Sequence, residues 1–374
     1  MDYKKIKKLI SCKLLLIIFA IFPFGQIDKL IFSLLGVNIP LHLIDVFVFL
    51  FVILNRPVLP RKVKSFFVVL LFSWALSFLA IQNYAIYPGV FYLLRFFVYM
   101  SFGFSCYRFD RKKIDLSKTL FLLGFVIAIA GLLQYFLIPD IRELKILGWD
   151  DHYFRLVSTF LDPAFTGILL VLSIFIFLAS KLSRKKSNYI FLGLVLLALL
   201  LTYSRASFIA LVVGGFVYFS FKKSKLFLVL GILFIFLIPL LPHKSSEGAN
   251  LLRTKSIQLK IVNYKESFQI ISRNPVFGVG FNNICFYREK DLNSHSCSGL
   301  DNSFLFMLAT TGVLGTIAFC DIFFSGLKNL SKKRKPLIWS SFAVILLHSM
   351  FTNTLFYPYI ILWMGLLISE AYKE

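Results

Sequence analysis

Arg205 sits where a charge is hard to place. The stretch Leu200 to Leu211, LLTYSRASFIAL, lies inside an apolar run from Tyr189 to Phe221 in which Arg205 is the only charged residue. A guanidinium presents a planar fork of N–H donors that fits phosphate oxygens better than a point charge does. In a membrane-grade segment such a cation marks a functional site by default, unless it snorkels to the headgroups. Arg155 lies nearby in WDDHYFRLVSTFLDPAFTG. There Asp162 followed by Pro163 reads as a helix start, a cap and then a first-turn proline. Ser204 can cap the helix beginning at Ala206, and Asp301 or Asn302 the one beginning at Phe304. Helix N-termini carry partial positive charge, so three of them with two arginines suit a pyrophosphate. Asp301 could accept a proton from an attacking hydroxyl, or could simply cap its helix. His295 is a weaker candidate base.

Asp45 and Arg95 fall at similar depth in two neighbouring apolar segments and have opposite sign. They read as a structural ion pair, with ligand binding by Arg95 as the alternative. No phosphate-binding glycine loop, nucleophile elbow or metal-spaced His and Cys cluster occurs. GVG at Gly278–Gly280 is too short to be a nucleotide loop. The reading therefore includes no metal and no cofactor.

These residues must be held by membrane helices. The chain has 374 residues, is 58% hydrophobic, has a mean hydropathy of +0.81 and contains 45 phenylalanines. Apolar segments of helical length recur throughout, so the expected fold is an all-α polytopic membrane protein forming one membrane domain over 1–374. About twelve spans are predicted, near 9–25, 41–54, 66–82, 89–106, 119–138, 164–180, 189–203, 206–221, 226–241, 304–326, 336–353 and 357–369. The net charge of +23 does not point to nucleic acid. The charges cluster in KKIKK, RPVLPRKVK, RFDRKKIDLSK, KLSRKKS, KKSK and KNLSKKRK, which alternate with neutral or acidic loops as the positive-inside rule requires. Both termini are then cytoplasmic, and no cleavable signal peptide is evident. One helix across Tyr189–Phe221 would run about 50 Å, too long for a hydrocarbon core of about 30 Å. With basic clusters at both ends, the run must be a hairpin turning outside at Tyr203–Ser204–Arg205.

The long external loop, 242–303, lies between the ninth and tenth spans. Within it Ile257, Ile261, Tyr264, Phe268 and Ile271 mark one face of an amphipathic helix near 257–273. That helix is expected to lie on the membrane surface or cap the bundle rather than to touch substrate. Cys285 and Cys297 share the loop and could close a small ring in an oxidising exterior.

The segments LTYSRASFIAL, RLVSTFLDPAFTG and SFQIISRNPVFGVGFNN leading to LDNSFLFMLATTGVLG resemble, in order and spacing, the bacterial O-antigen polymerase and ligase superfamily. The resemblance covers most of the chain from about residue 90 onward. It implies a metal-independent glycosyltransferase at the outer face of the bacterial inner membrane. Its substrates would be undecaprenyl-pyrophosphate-linked oligosaccharides as donor and acceptor, with the lipid bilayer and a chain-length regulator as further partners. By motif matching, Arg155 and Arg205 would hold the pyrophosphate and Asp301 would act as base. Ser204, Asn302 and Arg95 complete the expected substrate-binding set. Ligases of this family commonly carry histidine where this chain has Asp301, which favours a polymerase of O-antigen, capsule or other polysaccharide. Ligase-type transfer to another acceptor is the alternative. From a different class, so is a lipid-linked oligosaccharide flippase, although no paired repeat is visible.

Overall fold

A computed structural model describes residues 3–34, 37–81, 86, 88–109, 114–147, 149–223, 231, 234–238, 241, 247–288, 297, 299–328 and 334–371. Most of the predicted ninth span, and His295, lie outside the described residues.

Every other predicted span corresponds to a helix. In chain order these are α1 (Tyr3–Ile21), α2 (Leu43–Asn55), α3 (Arg61–Ala80), α4 (Pro88–Arg108), α5 (Leu116–Leu137), α6 (Pro163–Ala179), α7 (Tyr189–Leu201) and α8 (Arg205–Lys222). After the external amphipathic helix α9 (Lys255–Arg273) follow α10 (Ser303–Lys328), α11 (Lys335–His348) and α12 (Pro358–Ala371). Five of these, α3, α4, α5, α8 and α10, are long and apolar enough to cross a membrane, and five more are apolar but shorter. The all-α expectation needs one correction. Lys29–Leu34 and Val37–His42 pair as a two-stranded antiparallel hairpin, β1 and β2, with Lys29 opposite His42. Alternation over so short a stretch is a weak signal, and Pro40 is tolerated because a two-stranded ribbon has only edges.

α6 is the central helix. Every residue from Thr166 to Phe177 is buried, as expected of a helix apolar on all sides. Its neighbours bury one large apolar cluster, while α3, α9 and α10 build a second around Phe66, Phe281 and Phe306. Helix ends read as basic-side meet one another, which agrees with the alternation of the loops. Ser11 bonds Asn55, Lys62 pairs with Asp321 at 2.5 Å, and Arg334 bonds Ser117.

α10 is broken at Gly312, whose φ of +62° breaks the helical path. The segment 275–280 fills the break. Val279 and Gly280 donate to the carbonyls of Ala309 and Thr310 at 2.8 and 2.9 Å, and Val313 and Leu314 donate back to Pro275 and Val276 at 2.9 and 3.3 Å. A side chain at Gly312 would place Cβ 2.2 Å from the Val276 oxygen, and one at Gly278 would place it 2.4 Å from the Thr310 carbonyl carbon. This is the structural use of GVG: its glycines let one backbone lie against another. Non-helical backbone is tolerated here because these bonds, with Ser73 Oγ on the Phe277 and Thr310 carbonyls and Thr316 Oγ1 on that of Gly312, give the freed polar groups partners in protein.

Candidate active site at three helix starts

The α7–α8 turn falls where charge placement predicts. Thr202, Tyr203 and Ser204 are buried, Tyr203 adopts a φ of +51°, and Ser204 caps α8 by accepting from Ser207 N. α7 spans only 13 residues, about 20 Å, so the turn is sunk into protein and Arg205 begins its helix from within.

Beside it, Asp162 caps α6, accepting from Ala164 N and Phe165 N at 2.6 and 2.9 Å. Ser207 Oγ reaches the Ala164 carbonyl of that first turn and, at 3.3 Å, His348 Nε2; His348 Nδ1 meets Thr354 Oγ1 at 2.6 Å. The same α11–α12 connection holds the start of α10, where Ser303 N donates to the Ser349 carbonyl and Leu355 N to Ser303 Oγ. Three helix N-termini are thus tied around one loop. The cap of α10 is Asn302, which accepts from Phe304 N and Leu305 N. That leaves the Asp301 carboxylate with Lys260 at 3.5 Å.

Arg155 is only 9% exposed and donates Nε to the Thr202 carbonyl at 3.1 Å. Its terminal amino groups carry no hydrogen bond among the described residues. Burial first, then the charge of Arg253, pushes this guanidinium down to about 9. It stays cationic at neutral pH, and an anion would relieve its cost. Arg205 faces the external loop, donating to the carbonyls of Leu251 and Arg253 at 3.2 and 3.0 Å and to Ser256 Oγ at 2.7 Å. Arg253 donates to Gly248 and Asn250 carbonyls and to the Tyr203 carbonyl. Arg205 therefore fixes the loop that brings Arg253 to Arg155.

Acids face this cluster. At Asp150 desolvation by the surrounding protein, followed by the proximity of Asp301, raises the pKa, while Arg155 opposes the rise. His152, which is 5% exposed, lies beside Arg155 and Arg253; burial and those two charges push it down to about 3, so it is a neutral imidazole.

The structure thus brings together Arg155, Arg205, Ser204, Asp301 and Asn302. It does not bring Arg95. That residue pairs with Asp45 at 2.8 Å and donates to the Pro40 carbonyl, as the ion-pair reading expects. Three participants escaped the sequence reading: Arg253, Asp150 and Lys260. Asp150 was visible in WDDHYFR as one of two adjacent acids, but nothing there says which lies nearer Arg155 and Asp301. The external helix turns most of its predicted apolar stripe outward. Ile257, Ile261 and Phe268 are exposed, whereas Asn263 accepts from Asp301 N and Ser267 and Ile270 are buried. Its polar edge, with Lys260, meets the site.

A bundle of apolar helices, several of them long enough to cross a membrane, that gathers arginines and carboxylates at helix starts is the architecture of a membrane protein. Residues 190–320 match the O-antigen ligase family. The match takes in the hairpin with Arg205, the external loop and the start of α10 with Asp301. It supports the O-antigen polymerase and ligase superfamily and, with it, a membrane glycan-transfer role. No curated protein matches the chain.

Proposed function

We propose that this protein is a polysaccharide polymerase that joins undecaprenyl-pyrophosphate-linked repeat units at the outer face of the bacterial inner membrane. What supports the reading is the buried Arg155, held by Thr202 beside Arg253 and the Arg205-bound loop, next to the Asp150 and Asp301 carboxylates. An acceptor sugar hydroxyl attacks the anomeric carbon of the donor, forming the new glycosidic bond as the bond to the pyrophosphate oxygen breaks. The arginines stabilise the departing pyrophosphate, where pre-placed donors act most strongly. The hydroxyl proton passes to a carboxylate of the Asp150–Asp301 pair. Lys260 holds Asp301 in place. The arginines supply the positive charge that a metal provides in many phosphate sites, so turnover is expected to survive chelators.

The test is reconstitution in vesicles with a labelled lipid-linked repeat unit. A ladder of lipid-linked multimers with released undecaprenyl pyrophosphate supports polymerisation. Transfer only to a different acceptor would favour the ligase alternative, and movement of intact lipid-linked glycan between leaflets would favour a flippase.

A further inference from the structure

One cavity, of about 1060 Å³, lies away from the arginine cluster. It lies between the β-hairpin, the start of α4, residues 281–286 with Cys297 and Gly299, and the start of α12, and neither Arg155, Arg205 nor Asp301 lines it. Its walls mix aromatic rings with carboxamides. Trp149, Tyr92 and Phe286 supply ring faces; Gln26, Asn283 and Asn353 supply amides. Asn283 is fully buried and donates Nδ2 to Ser77 Oγ at 2.7 Å; among the described residues its Oδ1 has no partner, and neither does Asn353 Oδ1.

We propose that this cavity is a glycan subsite that holds the sugar residues of the acceptor, a reading that rests on the transfer function above. Sugar rings offer an apolar C–H face to aromatic rings and hydroxyl donors and acceptors to carboxamides, and the cavity supplies both. Its volume exceeds a typical small-molecule pocket, roughly 300–1,000 Å³, and suits several linked sugars. Two other occupants fit less well. A prenyl tail would leave the two buried amide oxygens unpaired, a penalty of about 1–3 kcal/mol each. A pyrophosphate would meet Arg95 already neutralised by Asp45. Lys29, with Nζ 5.6 Å from the Trp149 ring centre, adds a charged donor at the wall.

Chain connectivity leads from the cavity to the acids. Trp149 lines it and Asp150 follows; Gly299 lines it two residues before Asp301. Tyr357 lines it and stacks on Phe165 at 3.9 Å, and Phe165 N is held by the Asp162 cap. A glycan seated here would present its terminal hydroxyl toward the carboxylate pair.

Binding to the full chain in nanodiscs tests this with two probes. One is the oligosaccharide freed by mild acid from the lipid-linked pool of cells that make the protein; the other is farnesyl pyrophosphate. Trp149→Ala is expected to weaken the oligosaccharide about tenfold, the loss of one stacked ring, and Asn353→Leu to weaken it in the same sense. Trp149→Phe should retain most binding. All three variants should bind farnesyl pyrophosphate as the parent does, which also certifies their fold. Unbound oligosaccharide, or equal binding by Trp149→Ala and Asn353→Leu, would overturn the proposal. So would loss of farnesyl pyrophosphate in these variants, which would give the cavity to the lipid. Pyrophosphate binding that survives Arg155→Ala would instead overturn the transfer-site reading and leave the cavity result standing.

Discussion

Replacing Arg155 with alanine separates catalysis from folding more cleanly than any other single change. In the folded state the side chain contributes one hydrogen bond to Thr202, at 3.1 Å, a net gain of about 1–3 kcal/mol for a charged donor. Against this stand burial at 9% exposure and repulsion from Arg253. The two effects oppose each other, so abundance and thermal stability should change little. In the transition state the balance differs. In the proposed transfer, charge grows on the leaving pyrophosphate, and removing one donor from such a site costs roughly a hundred- to a thousandfold in rate. Arg155→Lys keeps the charge but loses the Nε anchor and the fork, so it should recover less than about a tenth of the activity. The assay is initial rate of multimer formation from labelled lipid-linked repeat units, normalised to protein in the vesicle. Near-parental rate in a well-folded Arg155→Ala protein would refute the assignment. Full rescue by lysine would refute the bidentate grip. A rate that merely follows protein level would make the residue structural.

Gly312→Ala should lower stability by ~3 kcal/mol, because the new Cβ meets the Val276 oxygen at 2.2 Å on a backbone with φ of +62°; detergent-solubilised unfolding that matches the parent would contradict the clamp at the break. His152 remains neutral when folded, down to about 3, but titrates at its usual 6.5 when unfolded. As pH falls through that window the unfolded chain takes up a proton the folded one refuses, so stability drops. Thermal unfolding at pH 7.5 and 5 should show the drop, and His152→Gln should reduce it; an identical pH slope would reject the burial argument. Cys285 and Cys297 are disulfide-bonded across 12 residues, so their peptides should be found linked by mass spectrometry without reduction. The double serine variant should lose about 2–3 kcal/mol, and two free thiols in protein from an oxidising envelope would exclude the bond. A cysteine at Lys265 should react with an impermeant thiol reagent in intact cells while cysteines at Lys185 and Lys223 stay shielded; the reverse pattern would invert the topology.

How much of this could be read from the chain varies with the physics behind each signal. Length limits and basic clusters forced the hairpin turn at Tyr203–Arg205, because no other path satisfies both. Asp162–Pro163 announced the start of α6 because cap chemistry is local. The Asp45–Arg95 pair was legible because an isolated membrane charge needs an opposite one. Arg253 was not legible: an arginine in a polar external loop is ordinary until the loop is folded back onto Tyr203. The same limit applied to Asp150 and Asp301, whose proximity depends on two loops far apart in sequence. Periodicity correctly grouped Ile257, Ile261 and Phe268 on one side of α9. It could not say which side would meet protein, and the polar side with Lys260 and Asn263 does so because the surface it covers is itself polar. Local pairing in the 29–42 hairpin was lost among stronger helical signals.

The break in α10 has a mechanical consequence. A continuous membrane helix can slide or rotate as a rod, but α10 is spliced to the 275–280 strand by four backbone hydrogen bonds, with Ser73 Oγ bonding both the Phe277 and Thr310 carbonyls. Pulling the strand away would forfeit about 1 kcal/mol for each of those bonds and expose their polar groups at a depth where water is scarce. The strand leads directly from α9, the helix that carries Lys260 and Asn263, while Asp301 stands two residues ahead of α10. A force on α9 is therefore transmitted to the half of α10 before Gly312 through these bonds. Asp301 is thus braced from two directions, by the contacts of α9 and by its own helix, which the same segment clamps.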